Sequence, residues 1–315
     1  MAKTIEKSGF KAVYVSGYGV SNSKLGYPDV GIITQNEMIE TAKNIASSVN
    51  IPVISDANTG YGNYLNVIRA VKEFEKSGVC GIHIEDQRTP KRCGLMGGNT
   101  LISMEEMVLK IKAAINARED PDFIIIARSD ANVFESFDNA IKRGKAYAEA
   151  GADVIFLEYI ESKSKLARIP KEIVGVPLLT CSIESKNSEI IKTKELEEMG
   201  FNIQIIPVSF MFAAYFAFRQ ALEEFKIYGH TKFITDKMYD ISSFNKLMDI
   251  DKINEVVDIY EIAEKPCINC NACLNNITTT DTNIINNDEA AEIIIKRIVK
   301  EIFKKINLNK YDVHR

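Results

Sequence analysis

Apolar positions fall along the chain in two kinds of segment. Short, nearly continuous apolar runs occupy residues 12–16, 52–56, 81–86, 123–130, 154–158, 177–182 and 201–207. They are rich in Val and Ile and lack a period of two, as expected of strands buried on both faces of a parallel sheet. Between them, residues 35–49, 64–77, 103–117, 137–150, 188–199 and 209–228 repeat apolar positions every three to four residues and predict helices. Gly78, Gly151 and Gly200 stand where a left-handed residue would close three of these. Strict alternation of strand and helix leaves two architectures, a (β/α) barrel or a doubly wound sheet.

Polar residues separate the two. Ser16-Gly17-Tyr18, Asp56 with Asn58, Glu85 with Asp86, Arg128 with Asp130, Glu158, and Cys181-Ser182 each end a different run. A site assembled from the ends of all strands is the mark of a (β/α)8 barrel. The expected fold is therefore α/β, a TIM-type barrel over residues 1–262, with seven strands visible and one of the eight unaccounted for. Beyond residue 260 come a cysteine-containing segment, a threonine- and asparagine-rich stretch and a basic amphipathic helix near 289–306, which predict a C-terminal extension over 263–315.

Composition narrows the function. With 39 Lys+Arg against 43 Asp+Glu the net charge is −4, which excludes a nucleic-acid surface built on basic surplus. No apolar run reaches a membrane span and the first ten residues lack a signal-peptide core, so a cytoplasmic protein with a small-molecule partner is expected. Three histidines give little support to a Ser-His-Asp triad, and Gly17-Tyr18-Gly19 is too short for a phosphate loop.

The strand-end acids carry the chemistry. Asp56 and Asn58 suit either helix capping or oxygen ligation, and Glu85 at the next strand end shifts the balance towards a hard cation such as Mg²⁺ or Mn²⁺. The loop at 89–99 holds Cys93 between the cations Lys91 and Arg92 and Gly94, a setting that lowers a thiol pKa and suits proton transfer, or else a solvent loop with an incidental thiol. Arg128, ending a very apolar run, needs a carboxylate, from a substrate or from Glu158. His83 lies between two isoleucines, a setting that suits a core histidine. Cys267, Cys270 and Cys273 have the spacing of a zinc or iron-sulfur site but lack a fourth cysteine.

Residues 13–33 (VYVSGYGVSNSKLGYPDVGII), 56–62, 83–87 with 91–94, and 127–131 (ARSDA) together resemble the isocitrate lyase and phosphoenolpyruvate mutase superfamily over roughly residues 1–260. The resemblance implies a Mg²⁺-binding (β/α)8 barrel that stabilises an enolate-type intermediate of a 2-oxo or 2-hydroxy acid, in a homodimer or homotetramer that exchanges a helix. It places Ser16, Gly17 and Tyr18 on a substrate carboxylate, Asp56 on the metal, and Glu85, Asp29 and Asn58 on the metal's waters. Arg128 would clamp substrate oxygens, His83, Glu158 and Gly94 would line the pocket, and Cys93 would donate the proton, with Lys91 beside it. The cysteine marks the lyase branch, ahead of carbon–phosphorus chemistry or a non-catalytic barrel.

Three positions depart from the pattern of lyases acting on larger acids. Leu95 replaces a histidine, Cys181-Ser182-Ile183 an Asn-x-Thr, and Phe212 an arginine, so a smaller dicarboxylate of the dimethylmalate kind is expected. Asn58 replaces an aspartate. The family's opening strand is missing, the chain starting at the helix that would follow it, which accounts for the count of seven.

Overall fold

The computed structural model describes residues 1–183 and 189–264. Seven parallel strands, β1 (Val13–Val15), β2 (Val53–Asp56), β3 (Gly81–Glu85), β4 (Ile124–Ser129), β5 (Val154–Leu157), β6 (Leu178–Cys181) and β7 (Ile203–Ile205), follow one another in sheet order and curl into a nearly closed barrel. Each lies inside one of the apolar runs. No ladder joins β7 to β1 among the described residues. Between these two strands opens an apolar cavity of about 400 Å³, lined by Ile5, Val13, Val15, Ile206 and Met211 among others.

The helices are α1 (Ala2–Lys7), α2 (Gly17–Val20), α3 (Gln35–Ala46), α4 (Tyr64–Lys76), α5 (Met104–Ala117), α6 (Ala131–Phe134), α7 (Phe137–Glu149), α8 (Lys163–Glu172), α9 (Thr193–Met199), α10 (Ser209–Tyr228), α11 (Ile241–Leu247) and α12 (Ile250–Glu264). Their starts are set by capping. Thr34 and Glu37 form a reciprocal box at α3, and Asn63, Ser103 and Ser136 cap α4, α5 and α7. Gly200 closes α9 in the left-handed region, as its position suggests. The expected helix over 188–199 begins only at Thr193. Helix α8 is not among the expected helices; its Pro170 sits in the last turn, and Leu166 and Ile169 are buried.

The two-sided apolar character of the runs is explained by two packed layers. Ile54, Ile126, Val154, Phe156, Leu179 and Ile205 fill the barrel interior, while a larger cluster including Val15, Ile82, Ile84, Ile125, Ile155 and Leu178 packs outward onto Met38, Phe74, Met107 and Tyr147 of the helices. Burial of such side chains contributes roughly 1.5–3 kcal/mol each. Helix α10 differs: none of its residues is buried, and Phe210, Phe212, Tyr215, Phe216, Phe218, Leu222 and Phe225 stand about half exposed or more.

Residues Met1–Ile250 form one compact unit. Of the second, which begins at Asp251, helix α12 is described. Cys267, Cys270 and Cys273 lie outside the described residues. No described helix is long and apolar enough to cross a membrane.

Candidate active site

The carboxyl ends of the strands converge on a cavity of about 140 Å³ whose wall includes Ser16, Tyr18, Asp29, Asp56, Lys91, Cys93, Arg128 and Glu158. Eight of the residues expected at the site thus meet in one cavity. They come from β2 and β4 and from the connections after β1, β3 and β5, a convergence that barrel topology produces without long-range design of any one loop.

Ser16 caps α2 by accepting the Gly19 N–H at 3.2 Å, and the Gly17 N–H donates to Asp56 Oδ2 at 3.1 Å. Asp56 Oδ1 accepts the Asn58 N–H at 2.7 Å, closing a turn in which Asn58 adopts φ 50°, a conformation asparagine tolerates. Burial opposes ionisation of Asp56, but neighbouring positive charge outweighs it and holds the carboxyl at about 2. The His83 ring is among the contributors only when protonated. Burial pushes His83 down to about 4, so at neutral pH the field comes from Lys91 and Arg128.

His83 is not in the cavity wall, contrary to expectation. It is fully buried in register with Asp56, two residues and one layer below Glu85. Its Nε2 lies 2.6 Å from Tyr14 Oη and 3.4 Å from Asp56 Oδ1. The ring is neutral at pH 7, so the contact with Asp56 is not an ion pair, and Nε2 shares a hydrogen bond with the Tyr14 hydroxyl. Tyr14, unremarked in the sequence, is thereby fixed in the cavity wall. Its signal was its inward position in β1. Gly94 also stays out of the wall: it opens a short 3₁₀ turn, and its Cα faces Val133 and Asp130.

Arg128 has a nearer partner than the expected Glu158. Its Nε and Nη2 fork onto Asp130 Oδ1 and Oδ2 at 2.7 and 3.1 Å, while Glu85 is 3.4 Å and Glu158 3.8 Å away. Asp130 wins because two residues further along an extended chain puts it on the same face as Arg128. Its signal was the R-x-D spacing. The guanidinium also lies 5.3 Å over the Phe156 ring. Lys91 is buried as well, its Nζ 2.7 Å from Asp29 Oδ2; burial works against its charge, but Glu85, Asp56 and Asp29 raise its pKa well above the ordinary value.

Two carboxyls are held near neutrality. Burial raises Glu85 to about 8 and Glu158 to about 7, with Arg128 opposing the rise in both. Both Glu85 oxygens, Asn58 Oδ1, Asp29 Oδ1 and Glu158 Oε2 are buried without a hydrogen-bond partner. A buried polar atom left unpaired is costly, and this cluster of carboxylate and amide oxygens is what a hard cation and its waters would satisfy, while the unpaired Nδ1 of His83 is not a donor such a cation prefers. Ligand atoms of Asp56, His83 and Glu85 lie within 4.8 Å of one another. Because Nε2 of His83 is engaged by the Tyr14 hydroxyl, the oxygens of Asp56, Glu85 and Asn58 are the better donor set. The residues present fit a divalent metal.

Such a site, with clustered oxygen ligands, a fixed guanidinium and a loop thiol at the mouth of a barrel, defines a (β/α)-barrel enzyme with a candidate metal centre and room for a small anionic substrate. The family model described as phosphoenolpyruvate phosphomutase matches residues 1–226, and the chain belongs to that family. It is 45% identical over 246 residues to 2,3-dimethylmalate lyase of Eubacterium barkeri, covering 78% of this chain and 85% of that protein. It is 38% identical over 233 residues to 2-methylisocitrate lyase of Shewanella oneidensis, covering 74% and 80%. Among solved structures, oxaloacetate acetylhydrolase in complex with 3,3-difluorooxalacetate superposes with a TM-score of 0.78 at 33% identity, covering 82% of this chain and 88% of that one. The protein is an enzyme of the carbon–carbon lyase type that its named relatives represent.

Proposed function

We propose that the protein is a Mg²⁺-dependent lyase that cleaves a 2-hydroxy dicarboxylate of the 2,3-dimethylmalate type into pyruvate and a short carboxylic acid. The observation that carries this reading is the division of the cavity. One side is ionic, and the other is apolar: Met96, Ile183, Ile205, Pro207, Val208 and Phe212. Phe212 packs edge-on against Tyr18 at 5.9 Å. The cations that line the cavity among the described residues are Lys91 and Arg128, and both already hold carboxylates. A third carboxylate, as in a tricarboxylic substrate, would be desolvated against the apolar side without a partner, at a cost of several kcal/mol. Alkyl substituents suit that side.

Asp56 would hold the metal, with Glu85, Asn58 and Asp29 on its waters. A bound Mg²⁺ supplies Lewis-acid stabilisation of negative charge on substrate oxygens. The chain's own groups do the rest. The N–H groups of Gly17 and Gly19 are taken by Asp56 and Ser16, so the Ser16 hydroxyl proton and the Tyr18 N–H would meet the substrate carboxylate, and Arg128 would steady the oxygens that gain charge. Glu158, near 7 and with Oε2 unpartnered, suits acceptance of the 2-hydroxyl proton. As that proton leaves, the C2–O bond becomes a carbonyl and the C2–C3 pair departs on C3. Cys93 then gives its proton to C3, releasing propionate when the substrate is 2,3-dimethylmalate.

The uncovered apolar face of α10 supports a further part of this reading, a homodimer or homotetramer in which that helix packs on another copy. The deciding experiment is a Mg²⁺-dependent pyruvate-release assay on malate, methylmalates, 2,3-dimethylmalate, 2-methylisocitrate and isocitrate, with phosphonopyruvate followed by phosphorus NMR. Turnover is expected on the dimethyl acid; turnover confined to the tricarboxylates or to the phosphonate would overturn the assignment.

A further inference from the structure

We propose that Gln87 is the latch that seats the Cys93 loop, a positioning residue for the thiol; this rests on the reading of Cys93 as proton donor. Gln87 is fully buried just past β3, and its backbone bridges to Leu101, closing the base of the loop that carries Lys91, Cys93 and Gly94. Its side chain reaches into that loop. Nε2 donates to the Arg92 carbonyl at 2.9 Å and to Asp130 Oδ2, while Oε1 accepts the Arg92 N–H at 3.0 Å and Asn99 Nδ2 at 2.6 Å. One end of the amide meets only acceptors and the other only donors, so its orientation is dictated and all four of its hydrogen-bonding valences are filled.

The geometry gives the latch its meaning. Gln87 pairs with both backbone groups of Arg92, the residue before Cys93, as a neighbouring strand would. The Cys93 N–H meanwhile donates to the Asp29 carbonyl at 2.9 Å, on the opposite side of the cavity mouth. The carboxylate that Gln87 also holds is the one forked by Arg128. A single buried amide therefore sets the thiol-bearing loop and the substrate clamp in one frame. Glutamate at this position would have no proton for Asp130 or for the Arg92 carbonyl and would face Asp130 as a like charge. Without the latch the loop is held at its base and by Asp29 but loses its central pin, and Gly97 and Gly98, both in the left-handed region, give it freedom to lift.

The test compares the full-length protein with Gln87→Met, which keeps the volume and removes all four bonds. Each cysteine's rate of alkylation by iodoacetamide is read by peptide mass spectrometry, beside kcat and the Mg²⁺ dependence of turnover. Loss of the two Arg92 bonds is expected to speed Cys93 alkylation about tenfold and lower kcat about tenfold, leaving Cys80 alkylation and the half-saturating Mg²⁺ concentration unchanged. An unchanged Cys93 rate, or equal acceleration at Cys80, which would signal general loosening, overturns the latch. Should Gln87→Met fail to fold, Asn99→Ala removes one acceptor-side partner from a half-exposed residue, and about threefold faster Cys93 alkylation is expected; no change there overturns the latch equally. A fall in alkylation control with kcat insensitive to Cys93→Ser would leave the latch standing and remove the donor role instead.

Discussion

Gly17→Ala tests the metal-holding geometry at its tightest point. A Cβ at position 17 would stand 2.5 Å from Asp56 Oδ2, 3.1 Å from its Cγ and 3.3 Å from Asn58 Oδ1. Ordinary contact begins at 3.4 Å, so the carboxylate has to retreat by about 0.9 Å. Retreat also stretches the 3.1 Å bond from the Gly17 N–H. A displacement near 1 Å in a group that orients the reaction costs about 10²-fold, equivalent to roughly 2.7 kcal/mol of transition-state stabilisation. Position 17 is in the first turn of α2, where alanine is by itself favoured over glycine by up to about 1 kcal/mol. Forcing this buried, hydrogen-bonded carboxylate aside costs about 1–3 kcal/mol, which the helix preference offsets only in part, so a modestly lowered Tm is expected, with kcat/KM down about 10²-fold and Mg²⁺ binding weakened by a similar factor. Calorimetric titration of Mg²⁺ and the pyruvate assay read the two quantities. A variant with Mg²⁺ affinity and kcat/KM within about twofold of the parent would refute the assignment of Asp56 to the metal.

Three further outcomes are expected. Cys93→Ser should lower kcat by about 10²- to 10⁴-fold while Mg²⁺ still binds, and full activity in a steady-state assay would remove Cys93 from the chemistry. Metal binding should release a proton, because Glu85 titrates at about 8 without metal and must be ionised to hold the metal's waters. Mg²⁺ affinity then climbs by up to about tenfold per pH unit below that value and levels off above it. The same raised pKa makes the metal-free fold lose stability as pH rises from the ordinary 4.5 through 8, since the folded state binds the proton more tightly than the unfolded one. A pH-independent Mg²⁺ titration would exclude Glu85 from the metal's surroundings. Asp29→Asn should destabilise the protein by about 3 to 5 kcal/mol in urea unfolding, because it leaves Lys91 buried beside a neutral group, and a loss below 1 kcal/mol would show that Glu85 and Asp56 suffice as partners.

The position of every described strand was legible because a strand covered on both faces must be apolar at successive positions, whatever it packs against. The site's membership was legible for a related reason. Once the order of strand and helix implied a barrel, each polar residue at a run's end had one place to go, and Asp56, Arg128 and Glu158 went there. Cys93 and Lys91 were found by their motif, and they reach the cavity on the loop it predicted.

What the chain order did not determine is depth, pairing and coverage. The sequence pointed Arg128 to Glu158, but Asp130, two positions along the extended chain, takes the closer bonds. His83 and Glu85, two positions apart on one strand, are both fully buried outside the cavity wall, and the ring of His83 holds Tyr14 within it. Gln87 reads in the sequence as one polar residue after two acids; its four hydrogen bonds go to three residues on two stretches of chain, the 89–99 loop and the end of the β4 run. Helix α8 needed Leu166 and Ile169 to find a surface before Pro170 could be tolerated. Residue type and spacing determined which groups this protein brings to the barrel mouth; only packing in three dimensions decided which of them meet, because hydrogen bonds and ion pairs depend on ångström distances between segments that sequence separation does not encode.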